Sequence, residues 1–299
     1  MNPPIVAAAT VEPAVSAARI AELSVPQLAP SVATVCPPPR IHAEVGRYRL
    51  RLAETPSDRE AACRLRFRVF NLELGEGLES SYETGLDTDP FDRFCEHLLV
   101  EDKQQENASR AIVGTYRMQS GITAALNLGY YSEQEFDLSP YEQLRPEILE
   151  LGRASIDREH RTPEVLTLLW RGIAQYATDM GLRYLIGCSS LTSRNPAEGW
   201  DLYRQLENYR VAPESNTHPT AAYECPVEST PRADADSMTV EPVKVPKLLK
   251  TYLAIGARIA APPAWDRAFG TIDFLTILDL KLLSTAARNR FLAPLTPIG

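Results

Sequence analysis

Residues 148–190 read ILELGRASIDREHRTPEVLTLLWRGIAQYATDMGLRYLIGCSS, and this stretch decides the fold. Ile148–Ile156 reads as a strand. Val165, Leu168, Leu169, Gly172, Ile173, Tyr176, Ala177 and Met180 then recur at i, i+3, i+4 spacing, which predicts an amphipathic helix ended by Gly181. Residues 184–189 carry almost no polar side chain, as a central buried strand should. Strand, helix and strand in this order form one crossover unit.

Outward from that unit, residues 47–53 alternate. Tyr48, Leu50 and Leu52 lie on one side, and Arg47, Arg49 and Arg51 on the other. This predicts a half-buried strand. Thr55, Pro56 and Asp58 have the order of a helix start, with a capping oxygen, a proline at the first turn and an acid at the positive end of the dipole. Ala61, Ala62, Leu65, Val69 and Leu72 carry that helix to about residue 73. Two strands at 97–101 and 111–119 flank a polar hairpin loop. A short helix is expected at 132–136, another at 197–206, a basic amphipathic one at 245–260, and a last strand at 271–280. The sum is mixed α/β with a central sheet and flanking helices. Residues 1–40 hold eight of the 24 prolines, much alanine and few charges, and are expected to be a disordered tail. Residues 41–290 form the folded domain, with a helix–strand extension at its C-terminal end.

Bulk properties exclude several classes. A net charge of −8 over 299 residues argues against a nucleic-acid partner. No apolar run approaches a membrane span, and prolines and Glu12 interrupt the N-terminal apolar residues, against a signal peptide. Five scattered cysteines without a CxxC pair, beside four histidines, suggest neither disulfides nor a zinc site. A cytoplasmic protein without a bound metal is the expectation.

Three constellations carry chemistry. Glu76, Glu79, Glu83, Asp87, Asp89, Asp92 and Glu96 form an acidic run suited to a cationic substrate, or simply a solvated loop. Glu150 and Arg153 interrupt an apolar strand. Strict alternation puts Glu150 and Gly152 on one face and Arg153 on the other. A buried Glu150 would have a raised pKa and serve as a base toward an ammonium, or would be a structural partner of Arg117 or Arg68. Arg158, Arg161 and Thr162 stand at the start of the long helix, where unpaired N–H groups attract phosphate. His97 and Asp102 match an HxxxxD spacing, but on a strand they point to opposite faces. Cys188 lacks a nucleophile elbow and reads as a buried structural cysteine. The basic helix at 245–260, with Lys247, Lys250 and Arg258, suits a solvated face, an anionic membrane or an acidic carrier protein.

A set of motifs in fixed order adds a resemblance. Leu65-Arg66-Phe67-Arg68-Val69-Phe70, Leu86-Asp87-Thr88-Asp89-Pro90-Phe91-Asp92, His97-Leu98-Leu99-Val100 and Val113-Gly114-Thr115-Tyr116-Arg117 lead into Glu150-Leu151-Gly152-Arg153-Ala154-Ser155. Pro263-Ala264-Trp265-Asp266 and Phe269-Gly270-Thr271-Ile272-Asp273-Phe274 follow. Over residues 47–283 the chain resembles the ornithine-lipid-type, hemolysin-like GNAT N-acyltransferases, and more distantly the acyl-homoserine-lactone synthases. The resemblance implies a GNAT-like acyl-CoA N-acyltransferase fold. It implies transfer of a 3-hydroxy fatty acyl group from acyl carrier protein to the amine of an amino acid such as ornithine. No permanently bound cofactor is implied; the donor is an acyl-phosphopantetheine. By the more distant resemblance, to the lactone synthases, Arg68 and Phe70, then Asp87, Asp89 and Asp92, then Arg117, then Glu150 and Arg153 mark the active site. A backbone N–H near Ala154 or Ser155, beside the parting of the two central strands, is expected to polarise the thioester carbonyl. The acyl-coenzyme-A signature R/Q-x-x-G-x-G/A has no glycines at 158–163, which favours a carrier-protein donor. A lactone synthase and a non-catalytic carrier-binding module are the alternatives. A peripheral contact with the inner membrane fits a lipid product.

Overall fold

The computed structural model describes residues 38–227 and 242–291, so most of the 1–40 tail and of the 226–245 loop lies outside the described residues. The strands are β1 (His42–Val45), β2 (Tyr48–Leu52), β3 (Glu96–Asp102), β4 (Ile112–Ser120), β5 (Ile148–Ile156), β6 (Tyr184–Leu191), β7 (Arg258–Ile259), β8 (Ala264–Asp266) and β9 (Thr271–Asp279). They form one sheet in the order β1-β2-β3-β4-β5-β6-β9-β7, with β8 also on β9. Only β5 and β6 run parallel, as the crossover predicts. Strands 47–53, 97–101, 111–119, 184–189 and 271–280 are found within two residues of expectation. The β1 hairpin arm and the short β7 and β8 were not expected.

Helices are α1 (Pro56–Phe67), α2 (Ser81–Thr84), α3 (Gly121–Leu126), α4 (Pro163–Asp179), α5 (Pro196–Gln205), α6 (Lys247–Ile255) and α7 (Thr285–Phe291). The Thr55 hydroxyl accepts from the Asp58 N–H, and the Asp58 carboxylate accepts from the Thr55 N–H, a complete capping box. Beyond Phe67 the helix widens into π-helical turns over Arg68–Leu74. That extra residue per turn rotates the apolar stripe, so Leu72 is 61% exposed rather than buried. The basic helix is shorter than expected. Gly256, at φ +115°, ends α6, and the chain returns as β7.

Alternation on β3 sorts the two faces. Leu98 and Val100 join the core beneath α4, while Leu99 packs with Ala62, Leu65 and Val69 of α1. Gly172 lets α4 close on the sheet: a Cβ there would meet Leu50 and Leu98 at 2.9 Å.

Candidate active site

β5 and β6 are in register only at Ile148/Tyr184, Leu149/Leu185 and Glu150/Ile186. Beyond those pairs the strands part. At the parting point a Cβ on Gly187 would sit 2.2 Å from the Leu151 carbonyl oxygen, so only glycine fits. On its other side β5 carries a bulge. Thr115 pairs with Ser155 and Arg117 with Gly152, which leaves Arg153 and Ala154 opposite Tyr116 alone. Arg153 takes φ +51°, the left-handed region, at a cost of about 1–2 kcal/mol for a residue with a Cβ. The bulge corrects the alternation expected from sequence. Arg153 reaches the same face as Glu150, Gly152 and Arg117.

A cavity of about 1050 Å³ runs through the sheet at this parting. Its polar end holds Arg117, Gln119, Tyr131, Ser132, Glu150 and Arg153. Its apolar part is lined by Tyr116, Leu166, Trp170, Leu185, Tyr252 and Leu278. Lys244, Lys247, Arg161 and Arg290 also line it.

Beside the polar end lies a buried lattice of three arginines and three aspartates. Its local frame is a second capping box. The Asp89 carboxylate accepts from the Phe91 N–H, and the Asp92 carboxylate accepts from the Asp89 N–H at 2.9 Å. Arg66 Nε donates to Asp87 at 2.6 Å and its Nη1 to Asp92 at 2.7 Å. Arg117 donates to Asp89 at 2.6 Å and to Asp92 at 3.1 Å. Arg153 lies 3.1 Å from Asp89 and 3.4 Å from Asp87. Burial raises the Asp92 carboxyl, but Arg66 and Arg117 overcome it and hold that carboxyl well below the usual range. Burial of His97 against this lattice pushes its imidazole down to about 4, so it stays neutral. Three negative charges thus meet three positive ones, and the aspartates expected to hold a cationic acceptor hold the chain's own arginines.

Glu150 pairs with neither Arg117 nor Arg68. Its Oε1 accepts from the Ser132 N–H and hydroxyl, each at 2.7 Å, and its Oε2 from the Tyr131 N–H at 2.9 Å. Burial raises its pKa and these bonds pull it back, with a net upward shift. Tyr131 also packs under both guanidiniums, with its ring centre 5.2 Å from Arg117 and 4.8 Å from Arg153.

The residues singled out from sequence therefore divide. Glu150, Arg117, Arg153, Phe70, Ala154, Ser155, Arg161 and Thr162 line the cavity. Asp87, Asp89 and Asp92 stand behind it as the anchors of Arg66, Arg117 and Arg153. Arg68 points elsewhere, 3.8 Å from Asp157, and Arg158 does not reach the cavity. Thr162 caps α4 by accepting from the Val165 N–H, while Arg161 is held by Glu73 at 2.6 Å. His97 and Asp102 end in separate networks, the latter with Arg47. Arg66, Glu135, Asp266 and Asp273 were not picked out. Arg66 was within reach of periodicity, since it follows Ala62 by four and precedes Val69 by three on the buried stripe.

A GNAT acetyltransferase domain is matched over residues 65–171, in agreement with the sheet and its parting strands. The chain is 32% identical over 265 residues to the L-ornithine N(alpha)-acyltransferase of Brucella abortus (strain 2308), covering 84% of this chain and 93% of that protein. It is 31% identical over 255 residues to the L-ornithine N(alpha)-acyltransferase of Agrobacterium fabrum (strain C58 / ATCC 33970), covering 82% and 85%. Among solved structures, FeeM, an N-acyl amino acid synthase from uncultured soil microbes, is a distant likeness, with 13% identity, a TM-score of 0.47, and 83% and 97% of the two chains covered. The chain belongs to the L-ornithine N(alpha)-acyltransferase family.

Proposed function

We propose that this acyltransferase moves a fatty acyl group, typically 3-hydroxylated, from the thioester of acyl carrier protein to the α-amine of ornithine, giving a lyso-ornithine lipid. The observation that carries this reading is the cavity that crosses the sheet where β5 leaves β6, with Glu150 at its polar end. The pantetheine arm enters between the strands along the edge of β5 that β6 leaves unpaired, in the manner of an added strand. The acyl chain follows Leu166, Trp170, Leu185 and Leu278. Lys244, Lys247 and Arg290 give the cavity a basic rim suited to an acidic carrier.

Glu150 takes a proton from the α-ammonium, directly or through one water. The free amine attacks the thioester carbon. A backbone N–H near Ala154 or Ser155 stabilises the oxyanion, the C–N bond forms, the C–S bond breaks, and the departing thiolate takes the second proton of the attacking nitrogen to leave as the thiol. Arg153, held cationic by Tyr131, Asp87 and Asp89 against the cost of burial, binds the acceptor carboxylate. The reading places the chain in the cytoplasm with a peripheral contact at the inner membrane. Among the described residues no helix is long and apolar enough to cross a membrane.

The test is transfer from 3-hydroxyacyl carrier protein to ornithine by the purified chain, followed by mass spectrometry of the amide, beside Glu150→Gln. The variant should lose about 10²–10⁴-fold in kcat. Its amide NH₂ must face the Tyr131 N–H, so about 1–3 kcal/mol of stability should go as well. A folded variant with unchanged kcat removes Glu150 from the reaction.

A further inference from the structure

Glu135, Asp266 and Asp273 form a second acidic group, apart from the arginine–aspartate lattice. One carboxylate oxygen of each lies within 4.8 Å of the other two. Glu135 is 1% exposed and Asp273 3%, yet all three line the cavity. Asp266 accepts from the Phe269 N–H at 2.8 Å, and one oxygen of Asp273 accepts from the Thr271 hydroxyl at 2.9 Å. Glu135 Oε2 and Asp273 Oδ1 have no hydrogen-bond partner, with the Ser190 side chain beside Asp273. Among the described residues no lysine, arginine or histidine forms an ion pair with any of the three. Burial, then the charges of Asp273 and Asp266, push the Glu135 carboxyl well above the usual range. Burial lifts Asp273 to about 6. Unanswered carboxylates in a dry site are costly, and a cation offsets that cost.

The group sits one side chain from the proposed base. Ser132, which donates to Glu150, accepts from the Cys188 thiol at 3.6 Å, and Cys188 is electrostatically coupled to Glu135. An acceptor whose α-ammonium faces Glu150 and whose side chain extends past Cys188 would reach the trio.

We infer that Glu135, Asp266 and Asp273 are the subsite that binds the side-chain ammonium of a diamino-acid acceptor and sets the enzyme's preference for it. This rests on the reading that Glu150 receives the α-ammonium. An ammonium supplies three donors, and the unpaired oxygens of Glu135 and Asp273 supply acceptors for them. A divalent cation is the competing occupant. The trio offers three protein ligands in the wall of the substrate cavity, so a Mg²⁺ or Ca²⁺ there would need water for the rest of its shell, and chelation decides between the two.

The experiment measures binding of ornithine and of norvaline to the purified full chain by calorimetry. Norvaline has the same α-amine, carboxylate and carbon chain but no side-chain amine. Ornithine should bind at least about 100-fold more tightly. Glu135→Gln and Asp273→Asn should each cut that ratio about tenfold or more while leaving norvaline unchanged. Chelation with EDTA should have no effect. Equal affinity of the wild type for the two amino acids overturns the inference, as does no binding of ornithine at millimolar concentration, or a ratio that both folded variants preserve. Ornithine binding that EDTA abolishes and Mg²⁺ or Mn²⁺ restores assigns the trio to a metal instead. If either variant fails to fold, the wild-type ratio and the other variant decide. The transfer assay stands apart. Selective binding without acylation sinks the acyl-transfer reading and keeps the subsite, whereas acylation without discrimination sinks the subsite alone.

Discussion

Arg66→Met is the sharpest test of the buried lattice. Arg66 is 0% exposed and donates four hydrogen bonds, two to the Asp92 carboxylate at 2.7 and 3.0 Å, one to the Asp87 carboxylate and one to the Asp87 carbonyl, both at 2.6 Å. Without it, three carboxylates face Arg117 and Arg153 alone, and one buried negative charge is unanswered. Breaking a buried pair from one side costs about 3–5 kcal/mol. At about 2–4 °C per kcal/mol for a domain of this size, the melting temperature should fall by about 6–20 °C. Methionine fills much of the space, so the loss is chiefly electrostatic. The control is Arg66→Met with Asp87→Asn, which leaves Asp89 and Asp92 against Arg117 and Arg153. That double variant should recover at least about 2 kcal/mol of the loss. Urea and thermal unfolding read both numbers. A single variant that loses under about 1 kcal/mol, or a double variant no more stable than the single, would refute the charge balance argued for this site.

Arg153 separates backbone from charge. Arg153→Ala keeps the strained φ and loses the contacts to Asp89 and Asp87, whereas Arg153→Gly loses the contacts but relaxes the backbone. Glycine should therefore melt higher than alanine, by about 1 kcal/mol in stability, with both below wild type. Gly187→Ala forces a methyl onto the Leu151 carbonyl at the neck of the cavity. It should cost about 1–3 kcal/mol and depress transfer with every acceptor tried, which melting and turnover together would show. His97 gives a pH dependence. Its folded pKa of about 4 lies below the unfolded 6.5, so as pH falls through that window the unfolded chain takes up a proton that the buried imidazole refuses. Stability from this residue is full above pH 6.5 and declines toward pH 4, by roughly 3 kcal/mol in all. His97→Asn should flatten that part of the melting-temperature profile relative to wild type, and parallel profiles would speak against it.

How much of this was legible in the chain itself depends on which force placed each residue. The β5–α4–β6 unit is visible because its apolar pattern has a clean period and its helix has cap residues at both ends. β7 and β8, with two and three residues, are too short to show a period, and both are held by pairing with β9. The inward turn of Arg153 rests on a one-residue bulge that strict alternation cannot signal, since the extra residue is defined only by its partner strand. Arg68 was preferred to Arg66 by resemblance of motif, although the helical stripe through Ala62, Leu65 and Val69 contains Arg66. The π-helical turns after Phe67 then carry Arg68 away toward Asp157. Asp273 sits at an apolar strand's buried face, and a charge in such a run was the available signal for the second acidic group.

The two acidic groups divide the chemistry of a cationic substrate between them. In the first, Asp87, Asp89 and Asp92 are each ion-paired with Arg66, Arg117 or Arg153, although Asp87 Oδ2 accepts no hydrogen bond, so a cation arriving there would have to displace a guanidinium already held by short hydrogen bonds. The aspartates fix Arg117 and Arg153 against Tyr131, which sets two guanidiniums rigidly beside Glu150. A guanidinium edge suits a carboxylate. In the second group Glu135 Oε2 and Asp273 Oδ1 are unpaired, and among the described residues no lysine, arginine or histidine forms an ion pair with its carboxylates. An amino acid laid across the cavity, carboxylate toward Arg153 and side chain past Cys188, meets complementary charge at both ends. On the proposed reading its α-ammonium would then face Glu150, whose pKa burial raises. On that reading, this order of guanidiniums, base and acidic pocket would favour a diamino acid over a simple one.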